Sequence, residues 1–243
     1  MEKFDISIVV PAYNEAKRIG KTIKEIAEYF KAKEMNFEVV VADDGSNDDT
    51  VGAAERVVKE INIPITILPS RQNMGKGHAL KCGFAAALGD IILFTDSDLS
   101  TPLKEFDKML PFLKGDYEVV MGSRHLSDSK IVIKQSFLRQ MFGKIFYKII
   151  FAILIKDITD TNCGFKAYSR RAGQHLYRNL SINRWGFDTE IIYLAQKYKY
   201  KIKEVPVEWY NNSDSKVNII KAVYDTLLEI FKIKFNDIRG KYE

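Results

Sequence analysis

The sequence predicts an α/β fold, a mostly parallel central sheet flanked by helices on both faces. Three observations carry that reading. Apolar runs of four or five residues recur through the first half, segments of helical apolar spacing lie between them, and polar clusters stand where the runs end. Ile6-Ser7-Ile8-Val9-Val10 reads as a buried strand, after which Ile19, Ile23, Ile26, Ala27 and Phe30 fall on one helical face. Phe37–Val41 is the second strand. The helix Asp49–Glu60 follows, its entry marked by Ser46, Asn47 and Asp48 as N-cap candidates. Ile65–Leu68 is a third strand, and Gly75–Leu88 reads as a helix in spite of its three glycines. Ile91–Thr95 and Glu118–Met121 supply two more strands, with a helix opened by Pro102 between them. Sheets of this kind bind ligands at the carboxyl ends of their strands.

Composition narrows the class. At 243 residues with 46% hydrophobic and 28% charged residues, the chain is neither disordered nor collagen-like. A chain of this length buries roughly 70–75% of its unfolded surface and needs no disulfide or metal staple. Cys82 and Cys163 are too few for a secreted disulfide framework, which points to a reducing compartment. The first strand begins at Ile6, leaving no room for a leader, so a cytoplasmic chain is expected. The net charge of +5 is local. Lys130, Lys134, Arg139, Lys144, Lys148 and Lys156 lie in a stretch with no acid, and the rest of the chain is close to neutral. A patch of this kind argues against a nucleic-acid binder coated in positive charge. No repeat, linker or low-complexity tract divides the chain, and a single domain over residues 1–243 is expected.

From Leu138 the residues Met141, Phe142, Ile145, Phe146, Ile149, Ile150, Ile153 and Leu154 keep helical spacing, with Lys144 and Lys148 on the other face. Two readings stand: a basic amphipathic helix lying in a lipid interface, or a core helix with solvated lysines. The apolar end, Ile149–Ile155, is far short of the ~20 residues that span a bilayer. Ile220, Val223, Tyr224, Leu227, Leu228 and Phe231 form a second apolar stripe, read here as packing on the sheet.

The chemistry-bearing residues cluster at strand ends. Asp43-Asp44 follows the second strand and Asp96-Ser97-Asp98 follows the fourth. Two carboxylates one residue apart suit a hard divalent cation shared with phosphate oxygens, and cannot readily stay charged together without a counter-ion. The alternative is that Asp98 or Ser100 caps the helix near Pro102. Pro11-Ala12-Tyr13-Asn14-Glu15 opens on the same edge, where an aromatic, an amide and a carboxylate can hold a planar base and its ribose. Gly122-Ser123-Arg124 reaches that edge too, and an arginine there can grip a diphosphate. Gly75-Lys76-Gly77-His78 lacks the spacing of a phosphate loop, and no Gly-x-Gly-x-x-Gly or Gly-x-Ser-x-Gly follows a strand. His78, His125 and His175 have no ligand spacing, and Cys163 reads as a small buried residue at a strand start.

Val9-Val10-Pro11-Ala12-Tyr13-Asn14-Glu15, Ala42-Asp43-Asp44-Gly45-Ser46, Asp96-Ser97-Asp98, Gly75-Lys76-Gly77 and Gly122-Ser123-Arg124 together resemble the nucleotide-sugar half of family 2 inverting glycosyltransferases of GT-A fold. Asp160 to Lys166, Arg184 to Glu190 and Ser215-Lys216-Val217 are similar to the dolichyl-phosphate β-glucosyltransferases, and more loosely to the dolichyl-phosphate mannose synthases. The resemblance runs from Ile6 to the C-terminal helix. It implies a nucleotide-sugar-binding half at 1–125 and an acceptor-binding half at 126–243 with membrane-facing helices. It implies transfer of a hexose, glucose from UDP-glucose by preference, to a polyprenyl or dolichyl phosphate with inversion. Pro11, Tyr13, Glu15, Ala42 and Asp44 would hold the nucleoside, and Ser97 would touch the donor. Asp96 and Asp98 would bind Mg²⁺ or Mn²⁺. Arg124 and Lys216 would neutralise the phosphates, and Arg139 would meet the acceptor phosphate. Ser100 stands where mannose synthases place a glutamine near the metal, so it is given no such role. A phosphate acceptor is already anionic and needs little help from a base, which leaves Asp188 and Glu190 to position rather than deprotonate. A lipid-linked acceptor further implies peripheral attachment to the cytoplasmic face of a membrane. GDP-mannose and UDP-N-acetylglucosamine are alternative donors. A haloacid-dehalogenase-type phosphatase, suggested by Asp-x-Asp alone, and an inactive membrane scaffold are the alternatives of other classes.

Overall fold

The first half alternates strand and helix as its apolar pattern requires: β1 (Ile6–Ala12), α1 (Ile19–Ala32), β2 (Phe37–Asp43), α2 (Thr50–Glu60), β3 (Ile65–Pro69), α3 (Lys76–Ala86), β4 (Ile91–Thr95), α4 (Phe106–Lys114) and β5 (Val119–Ser123). β6 (Lys130–Ile131), β7 (Phe165–Ser169), α5 (Arg170–Asn179), α6 (Phe187–Lys197), β8 (Ile202–Pro206), β9 (Glu208–Trp209) and α7 (Ile219–Ile238) follow. The computed structural model describes residues 4–131, 154–184, 186–210 and 219–243, the last with side chains from Leu228 onward. Arg139, Trp185 and Lys216 lie outside the described residues. So does the amphipathic helix read from Leu138, apart from Leu154 and Ile155, which are buried in the core.

Seven strands form one sheet in the order β3-β2-β1-β4-β7-β5-β8, and β6 pairs separately with β9. β1 to β4 are parallel, as is β5 with β8, whereas β7 runs antiparallel between β4 and β5. That strand departs from the expected pattern. The chain enters β7 from the edge where the parallel strands end, so residues 159–164 are delivered to the carboxyl side of the sheet. β2 and β4 flank β1 on opposite sides, which makes the carboxyl end of β1 the point where the winding reverses and a crevice opens.

Every residue of β1 and β2 is buried, as expected of parallel strands covered on both faces. On one face Val9, Val40, Phe94 and Tyr168 pack under α3, α5, α6 and α7. On the other, Ile8, Val10, Val39 and Val41 pack under α1, α2 and α4. Even the buried acid of β2 is satisfied: Glu38 accepts from Ser7 Oγ at 2.5 Å and from Leu88 N at 2.6 Å. Phe84 of α3 stacks on Tyr177 of α5 with ring centres 3.7 Å apart and meets Tyr168 edge-on. Truncating it opens a void between two helices and the sheet. Phe84→Ala is expected to cost about 3–5 kcal/mol, measured by urea unfolding, with helical content retained.

Candidate active site

Side chains two apart on a strand share a face, so Asp96, just past β4, projects on the side of Phe94 and toward the first turn of α3. There it forms an ion pair with Lys76, the residue that opens α3. The Lys76 ammonium also lies 5.0 Å from the Phe94 ring centre and 5.9 Å from that of Phe187. Burial alone would lower the Lys76 pKa, but Asp96, Asp188 and Asp98 together raise it. Three carboxylates from two segments, the turn after β4 and the start of α6, therefore act on one cation.

The turn carrying Asp98 is tight. Leu99 takes a φ of 47°, rare for a residue with a branched side chain, and donates its N–H to Asp96 O at 3.1 Å. Asp98 itself accepts from Ser100 N at 2.9 Å, and Thr22 of α1 ties the turn down through Ser97 O at 2.5 Å. Gly164 faces Asp96, and a Cβ at that position would collide with the carboxylate, so only glycine leaves it room. The donor set is all oxygen and already attracts a cation, which fits a hard divalent ion. Among the described residues no group of three His, Cys, Asp or Glu side chains forms a complete metal cage.

The other side of the crevice is built from β1 and β2. Pro11 and Ala42 are buried register partners, and Ala12 pairs Asp43 one step further along. Tyr13 is 42% exposed beside them. Asn14, with φ 58°, accepts from Asn47 N at 2.8 Å and so joins the exits of the two strands. Burial pushes the Glu15 carboxyl up; Arg18 beside it pulls it down and Asp98 adds to the rise. Asp44 is buried and accepts from Met74 N at 2.9 Å and Gly75 N at 2.8 Å. It pins the approach to α3, a role the sequence did not suggest.

Arg124, expected at the donor phosphates, is also tied into the frame. Its Nε and Nη2 donate to Asp160 at 2.7 and 2.8 Å, and its backbone N–H donates to the same carboxylate at 3.0 Å, a planar fork matched to a buried carboxylate. Burial alone would raise the Asp160 carboxyl, but the guanidinium overrides it and holds it at about 2. Glu204 secures the same corner by accepting from Asp160 N at 2.9 Å and Thr159 N at 2.7 Å. Cys163 is buried, and burial pushes its thiol to about 11, consistent with a packing residue.

Asp188 and Glu190 are both committed. Asp188 pairs with Lys166, the register partner of Phe94, whose side chain is wholly buried and also donates to Cys163 O at 2.7 Å. Burial raises the Asp188 carboxyl, while Lys166 and Lys76 pull against it. Glu190 accepts from Ser181 N and Ile182 N. Lys76 and Lys166 escaped the sequence reading. The available signal was a lysine between two glycines at a helix entry, set aside because the phosphate-loop spacing was missing.

The comparisons agree with this geometry. The family model for glycosyl transferase family 2 matches residues 7–176. Dolichyl-phosphate beta-glucosyltransferase of Dictyostelium discoideum is 34% identical over 246 residues, taking in 97% of this chain and 75% of that protein. Its Drosophila melanogaster namesake is 32% identical over 225 residues, or 88% of this chain and 69% of its own. Among solved structures, glucosyl-3-phosphoglycerate synthase of Mycobacterium tuberculosis superposes with a TM-score of 0.67 at 21% identity, over 95% of this chain and 80% of that one, a likeness of fold. That synthase has also been solved with Mn²⁺, UDP-glucose and glycerol 3-phosphate. The sheet, its acidic edge and its crevice define a GT-A transferase. The chain belongs to glycosyl transferase family 2 and is a hexosyltransferase.

The Asp160–Arg124 pair predicts an acid dependence. A carboxyl held below its unfolded value of 3.8 contributes stability that is fully present above about pH 4 and is lost as pH falls through about 2. Asp160→Asn is expected to cost about 3–5 kcal/mol at pH 7 and to flatten the decline between pH 4 and 2, read by urea unfolding across pH.

Proposed function

We propose that this chain transfers glucose from UDP-glucose to a dolichyl or other polyprenyl phosphate, with inversion, at the cytoplasmic face of a membrane. The observation that carries the reading is the Asp96–Asp98 turn set opposite Lys76 at the winding reversal beside β1. The sugar and acceptor rest on the names of the relatives at 32–34% identity. Pro11, Tyr13, Glu15 and Ala42 line the nucleoside side, with Asp44 holding the turn beside it. Ser97 and Lys76 face the diphosphate. Asp96 and Asp98 would hold Mg²⁺ or Mn²⁺, which when bound offsets charge on the departing nucleoside diphosphate. Lys76 carries a second positive charge to the same group, and Arg124 maintains the corner through Asp160. Arg139 and Lys216 are proposed for the acceptor phosphate and the donor phosphates. The acceptor oxygen is anionic at neutral pH, so attack needs no proton removal. Asp188 and Glu190, already bonded to Lys166 and to Ser181–Ile182, accordingly serve position.

Membrane attachment is supported by α7. Leu228, Phe231, Phe235 and Ile238 are exposed along it, Phe231 by 66%, while Ile230 and Ile233 face the core. Exposed Lys232, Arg239 and Lys241 stand beside that stripe, a composition suited to an anionic leaflet. Of the stripe expected to pack on the sheet, Leu228 and Phe231 are turned outward, and the side chains of Ile220, Val223, Tyr224 and Leu227 lie outside the described residues. Among the described residues no helix is long and apolar enough to cross a membrane.

In a thermal-shift screen, UDP-glucose with Mn²⁺ is expected to stabilise the protein, by about 2.7 kcal/mol at a hundredfold excess over Kd. Asp96→Asn and Asp98→Asn should each abolish the Mn²⁺-dependent part. A shift with GDP-mannose or UDP-N-acetylglucosamine alone would overturn the choice of donor. Flotation with anionic vesicles at low salt should carry the protein upward, and Phe231→Glu with Phe235→Glu should leave it in the soluble fraction.

A further inference from the structure

Glu190 is wholly buried on α6, and the reaction proposed above makes no use of its charge. Its solvation is unusual, because its hydrogen bonds among the described residues come from neutral donors. Ser181 N donates at 3.0 Å, Ser181 Oγ at 2.5 Å and Ile182 N at 2.7 Å, and the Tyr242 hydroxyl donates to Oε1. A buried carboxylate held in this way depends on each donor, since losing one leaves charge without solvation.

The donors belong to two segments, the linker before α6 and the tail beyond α7. Tyr242, beyond α7, is itself buried. Its carbonyl accepts from Tyr198 Oη at 3.0 Å, and Asn236 Nδ2 donates to Ser181 Oγ at 2.9 Å. Residues 181–183 link α5 to α6, and their carbonyls face the first turn of α3. Asn183 O accepts from Gly77 N at 2.8 Å and His78 N at 3.4 Å. A Cβ on Gly75, whose φ is 108°, would collide with Asn183 O, and one on Gly77 would sit 2.7 Å from Ile182 O. The backbone on both sides of Lys76 is therefore pressed against this linker.

From this geometry we infer that Tyr242 and Glu190 are positioning residues for the donor site. They act through the 181–183 linker and the α3 entry to hold Lys76 opposite Asp96. The inference deepens the proposed function at the same site, and Tyr242 touches no substrate.

Amide hydrogen exchange on the full chain without ligand tests the mechanical half. Tyr242→Phe should speed exchange at Gly77 and His78 about fivefold, the loss expected for one buried hydrogen bond, and leave β1 amides unchanged. Kinetics with UDP-glucose, Mn²⁺ and polyprenyl phosphate in vesicles test the functional half. Tyr242→Phe should raise donor KM about fivefold without moving acceptor KM, and should add nothing in a Lys76→Ala background. Unchanged exchange at Gly77 and His78 would overturn the inference, as would an equal fold-loss from Tyr242→Phe with and without Lys76. Should that variant not fold, Tyr198→Phe, which loses only its bond to the Tyr242 carbonyl, is read the same way. If the wild type does not turn over UDP-glucose, the substrate reading fails, and the exchange measurement still decides the linkage.

Discussion

Too much negative charge at one edge is the constraint that organises this molecule. Asp44, Asp96, Asp98, Asp160 and Asp188 all reach the carboxyl side of a single sheet, where like charges repel and burial strengthens the repulsion. Each is compensated differently. Backbone N–H groups of Met74 and Gly75 serve Asp44, Arg124 serves Asp160, and Lys166 serves Asp188. Asp160 and Lys166 are almost wholly buried, so those pairs act as fixed parts of the frame. The Lys76–Asp96 pair differs, with side chains 34% and 33% exposed. Solvent reaches it, so exchanging one cation for another there costs far less than it would at a buried pair. Of these three pairs it is the one that solvent reaches on both sides, which suits the proposed chemistry.

The second half of the chain completes this edge. β7 enters the sheet against the direction of its neighbours, bringing Asp160 beside Arg124, Gly164 beneath Asp96 and Lys166 beside Phe94. α6 and the linker before it close over the α3 entry. Frame and site are therefore not separable: the residues that neutralise the buried acids also set the geometry of the exposed one.

Family membership and geometry account for different parts of the conclusion. The family establishes an enzyme that moves a hexose, and the solved synthase shares the fold alone. The proposed metal and diphosphate site rests on the acidic turn, its lysine and its glycine neighbour. The proposed membrane attachment rests on the outward apolar face of α7.

Much of the fold was legible from periodicity. Ile6–Val10, Phe37–Val41 and Ile91–Thr95 announce buried strands because a strand covered on both faces must be apolar throughout. That Asp44, Asp96 and Asp98 stand on one edge was legible, because polar groups at consecutive strand ends share an edge in any parallel sheet. The antiparallel direction of β7 was not legible, since strand polarity depends on which edge the chain approaches. Nor were the partners. That Arg124 meets Asp160, that Lys76 meets Asp96 and that Glu190 gathers Ser181, Ile182 and Tyr242 are contacts between residues 8 to 52 positions apart. Sequence alone determined which groups carry charge and on which edge they stand. Only the tertiary structure decided which charge answers which, because the Coulomb and hydrogen-bond energies that pair them fall off within a few ångströms and are set by packing.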